Sequence, residues 1–101
     1  SAIHLKQDVS ADPSKITDYL RIQPYQQNGQ LIGYRLLPGK SPEFFKLSGL
    51  RTGDIAVQMN GFDLTVTTEA AQALGEIRQV SEVSLLVKRK EALVEILFSV
   101  Q

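Results

Sequence analysis

The sequence predicts one α+β domain in which a small, strongly curved five-stranded antiparallel sheet is capped by two or three helices. Three observations predict it: short stretches of alternating apolar residues, two Asn-Gly turns, and helix-start signals at two prolines. The chain has 101 residues, enough for one core and too few for two. Apolar residues make up 43% and charged residues 22%, a balance typical of a folded domain.

The beginning of the chain shows no clear hydrophobic period. We expect residues 1–14 to form a lead-in or a short N-terminal helix, and the folded domain to cover 15–101. Asp12 can cap a helix and Pro13 suits its first position, so a helical turn is predicted over 13–18.

A β-hairpin follows. Leu20 and Ile22 alternate with polar residues in a predicted strand over 19–25, which indicates one buried and one exposed face. Asn28-Gly29 supplies a turn that can adopt positive φ. The second strand of the hairpin is predicted over 31–37.

The centre of the chain predicts a helix and a third strand. Ser41 can cap this helix, Pro42 takes its first position, and Gly49 is placed to end it in the left-handed conformation. Apolar residues alternate over 54–59, which predicts a strand, and Asn60-Gly61 closes it.

The last part predicts a long helix and two more strands. Thr67 or Thr65 can cap the helix, which is expected to run to about residue 80. Alternating apolar residues predict the strands over 83–87 and 93–100, and the charged stretch between them, 88–91, is expected to be a solvated turn. The apolar stripe of the helix consists of Ala70, Ala73, Leu74 and Ile77.

Composition excludes several classes of function. Basic and acidic residues number 11 each, so the net charge is zero, which disfavours a nucleic-acid-binding protein. The chain has no cysteine and a single histidine, His4, so thiol chemistry and a multi-histidine metal site lack the necessary residues. No nucleophile–base pair or phosphate loop is recognisable. We therefore expect no enzyme activity, no catalytic residues, no metal and no cofactor.

The most informative motif is Gly49-Leu50-Arg51-Thr52-Gly53-Asp54, followed by Asn60-Gly61. Gly49 ends a helix, Leu50 is an apolar plug, and Gly53 permits a tight turn. Asp54 can accept hydrogen bonds from the amides of that turn before the strand begins. Two unrelated glycine turns are the alternative explanation, which the spacing and the flanking elements disfavour.

This motif resembles that of a PDZ domain in the circularly permuted bacterial arrangement, over roughly 15–100. A more detailed series of residues is similar to the PDZ domain of the type II secretion system protein C family, also called general secretion pathway protein C. That series runs through Gly33-Tyr34-Arg35-Leu36, Pro38-Gly39-Lys40, Phe44, Gly49-Leu50, Gly53-Asp54 and Asn60-Gly61-Phe62-Asp63-Leu64.

The resemblance implies a protein-interaction module that binds an extended peptide as an added strand, in a groove between an edge strand and the long helix. By the family's pattern the groove residues are Tyr19, Leu20, Arg21, Ile22, Thr67, Ala71 and Leu74.

Two residues depart from the usual PDZ pattern. PDZ domains that bind a C-terminal carboxylate use a glycine-bearing loop, but the corresponding stretch here, 17–20, has no glycine and contains Asp18. An internal segment or a folded surface is therefore an alternative ligand to a free C-terminus. Thr67 stands where many PDZ domains have histidine, so a preference for Ser/Thr ligands is not carried over.

The family also implies partners and a location. The expected partners are secreted exoproteins or other secretion-system subunits, and no nucleic acid. The expected location is the periplasm, in a bacterial inner-membrane protein anchored by a helix that this sequence lacks, with the isolated domain monomeric. The alternative is the substrate-binding PDZ domain of a periplasmic or intramembrane protease, which the strand pattern alone does not distinguish.

Overall fold

The structure is a computed structural model that describes residues 8–9, 16–40, 42–77 and 79–100. It confirms the predicted α+β class and contains all five predicted strands, with two short strands in addition. In chain order the elements are β1 (Asp8–Val9), α1 (Ile16–Tyr19), β2 (Leu20–Gln27), β3 (Gln30–Pro38), α2 (Pro42–Ser48), β4 (Ile55–Met59), β5 (Phe62–Asp63), α3 (Thr67–Glu76), β6 (Glu82–Arg89) and β7 (Ala92–Val100).

The strands form one open sheet in the order β1-β7-β6-β4-β3-β2, with the short β5 paired to β4. All pairs are antiparallel except β1 with β7, where Asp8 lies opposite Ser99. The described part of the lead-in is therefore a strand rather than a helix, and it lies at the end of the sheet opposite β2. The remaining lead-in residues, among them the predicted cap Asp12 and the predicted first helical residue Pro13, lie outside the described residues.

The two Asn-Gly turns adopt the left-handed conformation that the sequence predicts. The φ angles are 53° and 77° at Asn28 and Gly29, and 47° and 85° at Asn60 and Gly61. Most residues with a side chain rarely adopt such angles, but asparagine tolerates them and glycine adopts them freely. The turns therefore connect β2 to β3, and β4 to β5, through loops of two residues.

Irregular strand pairing bends the sheet. The register shifts between Tyr25 and Gln26 in the β2–β3 pair, and between Ala56 and Gln58 in the β4–β6 pair. An extra residue on one strand bends that strand and increases its twist. These irregularities contribute to the curvature expected for a small sheet that wraps around its core.

Aromatic side chains connect the helices to the sheet. The ring of Phe44 in α2 lies 5.2 Å from that of Phe98 in β7, edge to face, and 5.4 Å from that of Tyr19. Such ring pairs stabilise a core beyond the area they bury. Gly49, at φ 88°, ends α2 as predicted. The buried core consists of Leu20, Leu36, Phe44, Phe45, Leu50, Ala56, Met59, Leu64, Ala70, Ala73, Ile77, Val83, Leu85, Val87, Val94, Ile96 and Phe98.

The ends of α3 differ from the sequence-based prediction. The N-cap is Val66, which makes no side-chain cap hydrogen bond, so neither Thr65 nor Thr67 caps this helix. The amide and hydroxyl of Thr65 instead donate to Asp63 Oδ1, at 2.9 and 2.6 Å. The helix ends at Glu76, earlier than residue 80. Ser41, the predicted cap of α2, lies outside the described residues.

The described residues contain no helix that is long and apolar enough to cross a membrane. The same part of the chain contains no cluster of three or more His, Cys, Asp or Glu side chains that could hold a metal ion.

Candidate functional site

Strand β2 lies at an edge of the sheet. Among the described residues it pairs only with β3, in a register that sets Leu20 opposite Pro38 and Ile22 opposite Leu36. An edge strand directs part of its main-chain N–H and C=O groups away from its neighbour, where another strand can pair with them. The short lead-in strand β1 pairs at the far edge, so no strand of the described residues covers the outer side of β2.

The side chains of β2 alternate as predicted. Leu20 is buried and Ile22 is half-buried, whereas Arg21 and Gln23 are exposed. An open depression of about 360 Å³ runs along this stretch and is lined by Leu20, Arg21, Ile22 and Gln23. The depression gives an added segment of chain access to β2.

The start of β2 is fixed by close backbone packing. The amide of Gly39 donates to the carbonyl of Tyr19, at 3.1 Å, and a Cβ on Gly39 would lie 2.5 Å from the carbonyl oxygen of Asp18. Asp18 and Tyr19 belong to the helical turn α1. Where carboxylate-binding PDZ domains present a loop of free amides, this chain therefore has a helical turn that carries an acidic side chain.

Helix α3 has one face buried in the core and one face exposed. Ala70 and Ala73 are completely buried, and Ile77 is buried. Leu74 is 39% exposed, which is high for a large apolar side chain in a helix that packs on a core. Thr67 and Ala71, the other predicted groove residues on this helix, are exposed.

An apolar cavity lies between β2 and α3 and extends into the core. It brings together three of the predicted groove residues, Leu20, Ile22 and Leu74, whereas Tyr19, Arg21, Thr67 and Ala71 are outside its lining. Its volume of about 30 Å³ is far below the roughly 300–1,000 Å³ of small-molecule pockets. The full lining is Leu20, Ile22, Tyr34, Leu36, Ala56, Met59, Leu64, Leu74, Ile77, Val83, Leu85 and Phe98. We call the edge of β2, this cavity and the facing side of α3 the β2–α3 groove.

Hydrogen bonds of Asp63 shape the turn before α3. Glu69 reaches back from the first turn of the helix and accepts a hydrogen bond from the Asp63 amide, at 3.1 Å. The hydroxyl and the amide of Thr65 donate to the Asp63 carboxylate and hold its pKa below the ordinary value. These bonds fix the point where α3 begins, and hence the helical wall of the groove.

The Gly-Leu-x-x-Gly-Asp motif is anchored by Arg89, which the sequence predicts to lie in a solvated turn. Arg89 donates from Nε and Nη2 to the carboxylate of Asp54, at 2.9 and 2.8 Å, and from Nη2 to the carbonyl of Gly49, at 3.0 Å. The Asp54 carboxylate also accepts from the Arg51 amide, at 2.9 Å, as predicted. Hydrogen bonding to Asp54 raises the pKa of Arg89. The predicted solvated turn is therefore wrong for Arg89, and only Lys90 and Glu91 lie between the strands.

An edge strand beside a helix, on an open curved sheet with this glycine-aspartate turn, is the architecture of a PDZ domain, and comparison with solved structures agrees. A PDZ domain of EpsC from Vibrio cholerae is 31% identical with a TM-score of 0.81, and the match covers 89% of this chain and 86% of that one. The PDZ domain of the pullulanase C protein of the type II secretion system from Klebsiella pneumoniae, solved in complex with fatty acid, is 39% identical. Its TM-score is 0.77, with 87% of this chain and 91% of that chain covered.

The chain belongs to the type II secretion system protein C family, as a PDZ domain of that family. The protein of that name from Klebsiella pneumoniae is 44% identical over 88 residues, and the one from Aeromonas hydrophila is 38% identical over 92 residues. These matches cover 87% and 91% of this chain but only 31% and 32% of the two relatives. No family model matches the chain.

Proposed function

We propose that this domain is a non-enzymatic interaction module of a type II secretion system subunit, and that it binds an extended segment of a partner protein along β2. The observation that carries the proposal is the edge position of β2 beside α3. Main-chain hydrogen bonds to β2 supply affinity, and an apolar side chain of the ligand enters between Ile22 and Leu74. The contact is smaller than a standard protein interface, so the affinity is roughly micromolar or weaker.

The ligand is an internal segment rather than a free C-terminus. A terminal carboxylate needs free amides near the start of β2, but that region is the helical turn α1. The carboxylate of Asp18 in this turn would repel a second carboxylate. An internal segment carries no terminal charge and pairs with β2 without this repulsion.

The partners are secreted exoproteins or other subunits of the secretion system, and nucleic acid is not among them. The domain acts in the periplasm as part of an inner-membrane protein and is itself monomeric. The names of the relatives support this proposal over a substrate-binding domain of a protease, because those reported above are secretion-system proteins. The gene around this domain distinguishes the two: a single transmembrane helix upstream fits secretion, and a protease domain contradicts it.

A second ligand class, an acyl chain, is favoured by the lining of the cavity. All twelve lining side chains are apolar apart from the hydroxyl of Tyr34. The related Klebsiella pneumoniae domain was solved in complex with fatty acid. The cavity, at about 30 Å³, would have to widen to admit an acyl chain. Because the cavity is part of the β2–α3 groove, a fatty acid bound there should compete with a peptide, and a competition experiment measures this.

Chemical-shift titration of the ¹⁵N-labelled domain tests peptide binding. Segments of secreted proteins and of neighbouring subunits are added in two forms, one with a free C-terminus and one extended and amidated. We expect equal shifts with both forms, confined to 19–23 and 67–75. Shifts with the free form alone would contradict an internal ligand, and shifts elsewhere in the domain would contradict the β2–α3 groove.

A further inference from the structure

The chain contains two asparagines, Asn28 and Asn60, and glycine follows each of them. The side chain of an asparagine can be attacked by the backbone amide nitrogen of the residue that follows it. Glycine in that following position favours the attack most, because it has no side chain to obstruct the approach of its nitrogen. The two sites have the same chemistry and the same left-handed backbone. Any difference in reactivity between the two asparagines therefore comes from the surrounding structure.

We infer that Asn28 is a site of spontaneous deamidation, and that the fold protects Asn60 from the same reaction. The deprotonated amide nitrogen of Gly29 attacks Cγ of Asn28 and forms a five-membered succinimide. The bond from Cγ to the side-chain nitrogen breaks, and the departing –NH2 group takes up one proton and leaves as ammonia. Water then opens the ring at either carbonyl, which gives aspartate or isoaspartate. No oxidant, reductant or enzyme is required.

The environment of Asn28 leaves its side chain free to react. Asn28 is exposed, and within the described ranges its side chain makes no hydrogen bond. A Cβ placed on Gly29 would meet no atom beyond its chain neighbours within 4 Å, and the same holds for Gly61, so space around the glycine does not distinguish the two sites. Beyond the register shift at Tyr25, only the last two residue pairs of the hairpin, 26 with 31 and 27 with 30, close this turn. A short exposed hairpin end opens locally at small cost, which allows the dihedral change that ring closure needs.

The environment of Asn60 opposes the same reaction. Its side-chain oxygen accepts a hydrogen bond from the Ser84 amide, at 2.7 Å, and its side-chain nitrogen donates to the carbonyl of Glu82, at 3.3 Å. Its own amide donates to the carbonyl of Ser84, at 2.9 Å, and the preceding Met59 is buried. Attack on Cγ requires the side chain to leave both partners on β6, so the turn must first separate from that strand.

The products change the hairpin that includes β2. Aspartate adds a negative charge at the turn, and isoaspartate also adds a methylene group to the backbone. A two-residue loop of left-handed residues fixes the register of its strands, so an extra backbone atom disturbs the pairing of β2 with β3. This inference does not depend on the proposed ligand of the groove.

Incubation of the folded protein at mildly alkaline pH, followed by tryptic mapping, tests the inference. Cleavage at Arg21 and Arg35 isolates Asn28, and cleavage at Arg51 and Arg78 isolates Asn60, so mass spectrometry follows each site separately. We expect Asn28 to convert at least about tenfold faster than Asn60, because Asn60 must first break two side-chain hydrogen bonds. The rate at Asn28 should rise with pH, since the attacking nitrogen must lose its proton.

Two controls test whether the difference in rate comes from the folded structure or from the local sequence. In denaturant both sites should convert at similar rates, so that the difference disappears. The variant Asn28→Gly, which suits a two-residue turn, should keep the fold and lose the modification in the first peptide. Comparable rates at the two sites in the folded protein, or no conversion at Asn28 while the denatured chain converts, would overturn the inference.

Discussion

Arg89, at the end of β6, is paired through two hydrogen bonds with the buried carboxylate of Asp54, 35 positions earlier in the chain. Asp54 is only 2% exposed and the Arg89 side chain 16%. A third hydrogen bond, from Arg89 to the carbonyl of Gly49, ties the residue after α2 to the same guanidinium. The pair thus connects the turn before β4 with the end of α2 and the β6–β7 hairpin.

Replacement of Arg89 by alanine should lower the free energy of unfolding by about 2–4 kcal/mol. The Asp54 carboxylate would remain buried, with the Arg51 amide as its remaining hydrogen-bond donor in the described structure. Urea denaturation followed by circular dichroism measures the change. The matched control is Lys88→Ala, an exposed position on the same strand, which should change stability by less than about 0.5 kcal/mol. Equal losses in the two variants would contradict a structural role for the pair.

Local signals explain why most of the fold could be predicted from the sequence. Alternation over five or more residues and the Asn-Gly pairs specify strands and turns by adjacent residues alone. Strand β1 could not be predicted in this way, because two residues show no period and the pairing with β7 spans most of the chain. The partner of Asp54 is equally non-local, so Arg89 was indistinguishable from its exposed neighbour Lys88.

The groove was only partly predictable. Leu20, Ile22 and Leu74 line the cavity because strand alternation and helix periodicity determine which face each occupies. Thr67 and Ala71, predicted like the other groove residues from the family's pattern, lie outside the apolar stripe of the helix, and both are exposed outside the cavity lining. The cap of α3 was missed because Asp63 competes for Thr65, which cannot be read from the helix sequence alone.

Replacement by alanine should change the stability of the domain in opposite directions at two glycines, Gly39 and Gly75. A Cβ on Gly39 would lie 2.5 Å from the carbonyl oxygen of Asp18 and 2.8 Å from its carbonyl carbon, so Gly39→Ala should destabilise the domain by about 1–3 kcal/mol. Gly75, in α3, has no atom within 4 Å of such a Cβ, and Gly75→Ala should stabilise the domain by about 0.4–1 kcal/mol. Thermal unfolding of both variants measures the changes, and a Gly39→Ala variant as stable as the parent would refute the close packing of Gly39 on α1.

The contribution of Asp63 to the stability of the domain should decrease at acid pH. Hydrogen bonds from Thr65 lower the pKa of Asp63 from 3.8 in the folded state, so they favour the ionised carboxylate. This contribution is fully present above 3.8 and is lost as the pH falls through the lowered folded-state pKa. The variant Asp63→Asn should therefore be less stable than the parent at neutral pH, and the difference should shrink in strong acid.

Melting temperatures across this acid range measure the effect of Asp63. The control is Glu91→Gln, which makes the same change of charge in the exposed β6–β7 turn. A constant difference between Asp63→Asn and the parent at every pH would show that the carboxylate's ionisation is not linked to folding.

Leu74 should control ligand binding if segments dock in the β2–α3 groove. Leu74→Asp places a charge on the wall of an apolar cavity and should weaken binding at least about tenfold in the chemical-shift titration. Gln72→Asp adds the same charge to an exposed position of α3 outside the cavity lining, and should change the affinity by less than about twofold. Circular dichroism first establishes that both variants fold. Equal affinities in the two folded variants would show that ligands bind elsewhere, because Leu74 lines the cavity beside β2 and Gln72 does not.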